Sequence, residues 1–384
     1  MKKALMVASV ASMIDQFNMG NIAILEQLGY RVEVAANFAQ GSNTSNQRVA
    51  EFQRELTEAG RVHHQVDIPR SVFKIGSILR SYKQVKTLCD EGQYDLIHCH
   101  SPIGGVVARL AAGKRRKAGT KVIYTAHGFH FFKGAPLKNW LLFYPMERLC
   151  ARFTDLLITI NQEDYDLAQR KMKAKRVVYV PGIGVDTQAF CGEERDLAAL
   201  REELGLSPED KIVLSVGELS RRKNHKVVLE AVARIPIPGV HYLICGIGPE
   251  EEKLRRLAKD LGVEERLHLL GFRRDIPKLL ALADVYAFPS LQEGLPVALM
   301  EAMAAGKAVV CSNIRGNRDL IEPNFGGSVL EVTDANGFAQ EIGRLLTTPS
   351  MAEKKGDYNR RRIQEFDRTV VDAQMKTLYQ EISQ

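Results

Sequence analysis

Residues 284–313 read "DVYAFPSLQEGLPVALMEAMAAGKAVVCSN", and this stretch decides the fold. "DVYAFPS" and "AVVCSN" are short apolar runs with the β-branched and aromatic content of buried strands. An alanine-rich helical stretch lies between them, and Pro296 suits its first turn, where no amide hydrogen is needed. A strand, a helix and a second strand at this spacing is the repeating unit of a parallel sheet covered on both faces.

The same alternation extends outward to both ends of the chain. Before residue 185 the strand-like runs are "KALMVAS", "RVEVAAN", "HHQVDI", "DLIHCH", "KVIYTAH", "DLLITI" and "RVVYVPG". After it they are "KIVLSVGEL", "HYLICGIG", "RLHLLGF", "DVYAFPS", "AVVCSN" and "SVLEV". At 384 residues the chain is too long for one simple core. The expectation is therefore an α/β protein of two Rossmann-like domains. The first spans 1–185, and Pro181, Gly182 and Gly184 mark the turn that ends it. The second spans 186–365.

Composition narrows the class. Hydrophobic residues make up 45% and charged residues 26%, as in soluble globular chains. Six scattered cysteines (Cys89, Cys99, Cys150, Cys191, Cys245, Cys311), none in a C-x-x-C pair, fit a reducing compartment, the cytoplasm. The opening "MKKALMVASV" imitates a signal peptide but reads better as a buried first strand. No apolar run approaches the roughly 18 residues of a membrane span. Residues 1–185 hold 26 Lys and Arg against 15 Asp and Glu, a net +11; residues 186–384 hold 27 against 31, a net −4. An anionic partner is expected to meet the first half.

Open parallel sheets bind ligands outside the carboxyl ends of their strands, and the chemistry-bearing residues gather at such ends. Glu293 and Gly294 precede the helix of the opening stretch, and Glu301 lies inside it. Free amides near Gly294, Leu295 and Val297, with the helix dipole behind them, favour a phosphate or sugar hydroxyls. On residue types alone the two glutamates are acid and base, metal ligands or hydrogen-bond acceptors, or else a cap and a solvated helix residue. In "VGELSRRKNHK" Arg221, Arg222 and Lys223 follow a strand; they could neutralise a leaving diphosphate without metal, or form a solvated basic turn. His127 ends the strand "KVIYTAH". His98 and His100 alternate on one strand, too few for zinc without a third ligand. His63 and His64 read as edge-strand surface. "RSVFKIGSILRSYKQVKTL" places Phe73, Ile75, Ile78, Leu79, Tyr82 and Val85 along one helical face among lysines and arginines. That face suits an anionic membrane surface or an ordinary sheet-covering helix. No Walker A loop or H-E-x-x-H motif occurs, the G-x-G fragments are weak dinucleotide signals, and no nucleic-acid module is present.

Together "VPGIGVDTQAF", "VGELSRRKN", "AHGFHFF", "GFRRDIPKLLALADVYAFPSLQEGLPVALMEAMAAGKAVV" and "NIRGNRDLI" resemble glycosyltransferase family 4. These are retaining enzymes of the GT-B architecture, and the likeness is to the bacterial capsular and exopolysaccharide branch. The resemblance implies that Glu301 holds the ribose of a UDP-sugar and Glu293 the donor sugar. Gly294, Leu295 and Pro296 would form the amide-bearing turn, Lys223 and Arg222 would stabilise the departing diphosphate, and His127 would reach the sugar from the first domain. Phe272 and Arg273 would border the base, with Gly246 and Gly248 giving it room. Asp15, Gln16 and His100 are expected on the acceptor side.

Two departures stand out. Glu218 occupies a place where many members carry arginine, and "SVASMIDQFNMGN" replaces a Gly-Gly loop. The resemblance further implies no metal or other cofactor, a lipid-linked saccharide acceptor, peripheral contact with the inner membrane, and a C-terminal helix, 366–384, that completes the first domain. Alternatives are a UDP-sugar 2-epimerase-like isomerase and a non-catalytic nucleotide-sugar binder.

Overall fold

The computed structural model describes residues 1–41, 44–190 and 197–384. Cys191 falls outside them; the other five cysteines are buried free thiols. Two compact units form, one from Met1–Ile183 with Thr369–Gln384 and one from Gly184–Arg368.

The first unit holds β1 (Lys2–Val7), β2 (Tyr30–Ala36), β3 (His63–Gln65), β4 (Leu96–His100), β5 (Lys121–Ala126), β6 (Leu156–Thr159) and β7 (Arg176–Tyr179). Every pairing is parallel, in the order β3-β2-β1-β4-β5-β6-β7. Side chains alternate along a strand, so β1 sends Ala4 and Met6 into one apolar cluster and Leu5 and Val7 into another. Helices close both clusters, which is why the strands read as continuous apolar runs. The helix Arg368–Ile382 seals the first cluster with Val371, Met375, Leu378 and Tyr379. Polar ties fix it there: Gln374 Nε2 donates to Tyr179 O at 2.8 Å and Arg176 meets Glu381 at 2.6 Å.

The second unit repeats the plan with β8 (Lys211–Val216), β9 (Val240–Cys245), β10 (Leu267–Leu269), β11 (Val285–Phe288), β12 (Ala308–Ser312) and β13 (Gly327–Leu330). Their order is β10-β9-β8-β11-β12-β13, again all parallel. All thirteen runs named from the sequence are strands, in two α/β sheets. Residues 184–185 and 366–368 join the second unit, because Val185 N donates to Phe366 O at 3.0 Å and Arg368 N to Val185 O at 2.9 Å. Gly184 is required beside them: its φ is +67°, and a Cβ would come within 2.8 Å of Arg368 Cα. Among the described residues no helix is long and apolar enough to cross a membrane.

Candidate functional site

In the second sheet the chain winds from β8 toward β9 on one side and returns to β11 on the other. The carboxyl ends of β8 and β11 therefore flank the switch point, where the helices diverge and leave a crevice. After β8 the loop carries Arg222 and Lys223; after β11 it carries Glu293. Lys223 Nζ lies 2.9 Å and Arg222 Nη1 2.7 Å from the same atom, Glu293 Oε1. Lys223 and Glu293 are largely buried, so water screens that pair weakly, while Arg222 is half-exposed. The Lys223 stem crosses Gly217, and its ammonium stands 4.9 Å from the centre of the Phe288 ring.

The turn after Glu293 is tightly held. Pro296 is the N-cap rather than the first helical residue, and the helix runs Val297–Ala304. Gly294, Leu295 and Pro296 thus lead directly into its N-terminus, where backbone amides lack helical acceptors. Glu301 is the fifth residue of that helix. Burial pushes its carboxyl up to about 7, against a smaller opposing pull from Arg368.

Gly246 and Gly248, at the end of β9, have a packing reason independent of any base. A Cβ at Gly246 would come within 2.0 Å of Gly217 O, and one at Gly248 within 2.4 Å of Leu219 O. The β8 and β9 loops touch backbone to backbone there. After β10, Phe272 is 71% exposed, while Arg273 is engaged by Glu203 at 2.6 Å and Asp275 at 2.7 Å.

In the first unit the site residues are mostly neutral. His100 Nδ1 and His127 Nε2 are 3.1 Å apart, and His100 Nε2 is 3.2 Å from Met6 Sδ. His98 meets Tyr379 OH at 2.7 Å and Thr125 Oγ1 at 2.8 Å. Burial holds His98 down to about 3 and His127 to about 4, and depresses His100 as well. Thioether sulfur only accepts, so Nε2 of neutral His100 carries the proton and its Nδ1 accepts from His127 Nε2–H. That leaves the His127 Nδ1 lone pair as an acceptor. Among the described residues no group of three His, Cys, Asp or Glu is arranged to hold a metal.

Asp15 and Gln16 sit on the helix Ala11–Phe17 after β1. Asp15 is already held by Arg48 at 2.6 Å, while Gln16 is exposed. His64 differs from the edge-surface expectation: it is partly buried and bonds Glu33 at 2.9 Å.

A family model described as "Glycosyl transferases group 1" matches residues 197–362, and one described as "Glycosyl transferase 4-like domain" matches 17–182. EpsD of Bacillus subtilis (strain 168), a glycosyltransferase by name, is 36% identical over 384 residues, covering 98% of this chain and 96% of that protein. The chain belongs to glycosyltransferase family 4. This family 4 enzyme is also 31% identical to the UDP-Gal:alpha-D-GlcNAc-diphosphoundecaprenol alpha-1,3-galactosyltransferase of Escherichia coli, over 70% of each chain. Anabaena HepE, solved with UDP-glucose, superposes with a TM-score of 0.79 at 22% identity, covering 99% of this chain and all of that one. The lipopolysaccharide glycosyltransferase WaaG superposes at 0.71 with 17% identity, over 98% and 99%. The glycosyltransferase therefore has the GT-B fold.

Sequence reasoning missed the residues that support this site. Arg315 is 4% exposed, and its Nε donates to Glu293 O at 3.1 Å. Gly316 lets the turn approach, since a Cβ there would lie 2.3 Å from Gly294 O. Asn224, left-handed at φ 55°, ties the two loops together by donating to Pro289 O at 3.1 Å and Val332 O at 2.8 Å. The available signal was "NIRGNRDLI" immediately after a strand, quoted for its family likeness alone.

Proposed function

We propose that this glycosyltransferase moves a sugar, with retention of configuration, from a UDP-sugar to a lipid-diphosphate-linked saccharide in capsular or exopolysaccharide synthesis. The observation that carries the reading is the convergence of Lys223 and Arg222 on one oxygen of Glu293 at the switch point. Two cations preset by a carboxylate are ready for a diphosphate, whose charge grows as the sugar–phosphate bond breaks. Arg222, rather than Arg221, supplies the second charge that an arginine at position 218 gives other members. No metal is needed for that neutralisation.

Glu301 accepts from the ribose hydroxyls, and Glu293 from a donor-sugar hydroxyl. The amides of Gly294 and Leu295 face the sugar or diphosphate. Phe272 and Arg273 border the base, and the His127 Nδ1 lone pair accepts from the sugar. In the transfer, the anomeric carbon–oxygen bond to UDP breaks and the acceptor hydroxyl oxygen bonds that carbon on the same face. The hydroxyl proton passes to the departing phosphate oxygen, so UDP and the lengthened saccharide are the products. The EpsD likeness and the undecaprenol-linked substrate in the E. coli relative's name support such an acceptor. The first unit, with Asp15, Gln16 and His100 at its strand ends, receives the acceptor at the inner face of the cell membrane.

Calorimetric titration with UDP, ADP and GDP, without added metal, tests the donor site. Selective UDP binding that Glu301→Ala abolishes is the expected result. Binding of ADP or GDP in preference overturns the UDP assignment, and no binding of any of them overturns the transferase site itself.

A further inference from the structure

The helix Leu137–Cys150 has two apolar faces where a sheet-covering helix needs one. Its inner face packs Trp140, Phe143 and Tyr144 into the cluster beneath the first sheet. A buried ion pair, Arg109 to Glu147 at 2.7 Å, with Tyr124 OH donating to the same carboxylate at 3.0 Å, fixes that orientation. The outer face is left with Leu137 (73% exposed), Leu141 (71%), Leu142, Met146 and Leu149.

A second exposed apolar group stands on the same side of the sheet. The helix Ile75–Gly92 buries Val85 and Cys89 in that same cluster, while Phe73 (83% exposed), Ile75 and Leu79 stay outside at its N-terminal end. Patches this concentrated mark a surface that something apolar covers.

Charge selects what covers it. From Arg70 to Lys86 there is no Asp or Glu but five cations, Arg70, Lys74, Arg80, Lys83 and Lys86. From Lys133 to Met146 there is again no acid, and Arg148 follows; the single acid of that helix, Glu147, is buried against Arg109. Arg70, Lys74 and Arg80 also line a cavity of about 440 Å³, three cations against the single acid Asp67, which stands 3.7 Å from Arg80. An apolar face rimmed by cations matches the boundary between acyl chains and anionic headgroups.

We propose that the outer face of Leu137–Cys150, together with Phe73, Ile75 and Leu79, docks on an anionic lipid bilayer. The proposal rests on the membrane-borne acceptor inferred above and names the residues that reach the membrane. Leu141, Leu142 and Met146 enter the headgroup–acyl boundary, and Lys138, Arg148, Lys74 and Arg80 meet lipid phosphates.

The test is co-sedimentation of the full chain with vesicles of phosphatidylglycerol and phosphatidylcholine, and with phosphatidylcholine alone. The wild type is expected to bind the anionic vesicles and to be released as salt rises from about 0.05 to about 0.5 M. A Leu141→Gln, Met146→Gln double variant and Phe73→Gln are each expected to weaken binding about tenfold or more. Lys138→Glu with Arg148→Glu is expected to do the same, and UDP affinity stays unchanged in every variant. Wild-type chain that ignores both vesicles, or variants that bind as well as wild type, overturns the proposal. So does size-exclusion chromatography showing a wild-type dimer that Leu141→Gln dissociates, since a second copy then covers the face. UDP titration of the same protein separates the two readings: UDP binding without vesicle binding sinks the surface alone, and the reverse sinks the donor site alone.

Discussion

The two units repeat one strand order, yet the carboxyl ends of their sheets carry opposite electrostatics. After β8 and β11 the second unit gathers full charges, with two cations sharing Glu293 Oε1. At the ends of β4 and β5 the first unit gathers neutral imidazoles, His100 bonded to His127 and His98 to Tyr379 and Thr125. The balance is reversed over the surrounding chain, where residues 1–185 carry +11 and residues 186–384 carry −4. A common scaffold therefore says little about chemistry. What the loops add at the switch point decides whether a unit offers charge or hydrogen-bond geometry.

The sharpest way to break this comparison is Lys223→Ala. If the second unit works through charge on the leaving group, the variant loses an interaction that strengthens as the bond breaks. The expected fall in kcat is about 100- to 1,000-fold, read by UDP release in steady-state kinetics, with UDP affinity falling far less. Equal losses in affinity and kcat would mean that Lys223 only binds, and the contrast between charged and neutral units would lose its mechanistic meaning.

The parallel sheets were legible because strands buried on both faces cannot avoid continuous apolar runs, and "DVYAFPS" or "DLIHCH" are such runs. The neutral histidine chain was not. His98 and His100 share a strand face by period alone, but Tyr379, the partner of His98, lies 281 residues beyond it. Burial of Arg315 is likewise a long-range fact: a cation after a strand looks solvated until the Glu293 turn folds over it. Periodicity also placed Phe73, Ile75, Leu79 and Val85 on one helical stripe, whereas the structure buries Val85 and exposes the other three. A 3.6-residue period marks a stripe without saying how much of it the sheet covers.

The two units also respond oppositely to pH. Burial raises the Glu301 carboxyl from 4.5 to about 7, so the folded state holds that proton more tightly than the unfolded chain does. Its contribution is fully present below about 4.5 and is lost as pH rises through about 7, roughly 3 kcal/mol in all. His98 and His127 are depressed to about 3 and about 4 from 6.5, so the unfolded chain takes up protons first and stability falls as pH drops below about 6.5. Glu301→Gln is therefore expected to stabilise the protein at pH 8, by up to roughly 3 kcal/mol in denaturant unfolding, and to change little at pH 5. UDP affinity of the wild type is expected to rise from pH 6 to 8 as the carboxylate ionises, and the variant is expected to lose that dependence. An unchanged midpoint at pH 8 would show Glu301 already solvated, removing the cost placed on the second unit.

Tyr379→Phe probes the neutral unit with the smallest change. The ring still fills the cluster that the helix Arg368–Ile382 seals, so packing is kept and only the hydroxyl near His98 Nδ1 is lost. Both residues are fully buried, and an imidazole nitrogen left without a partner there costs about 1–2 kcal/mol. The loss is expected in urea unfolding at pH 7, with UDP affinity and the pH response of Glu301 unaltered because they belong to the other unit. A loss in UDP affinity instead would mean that the C-terminal helix acts on the donor site. An unchanged unfolding midpoint would mean that Thr125 alone satisfies His98, and that apolar packing without the hydroxyl holds the helix on the first unit.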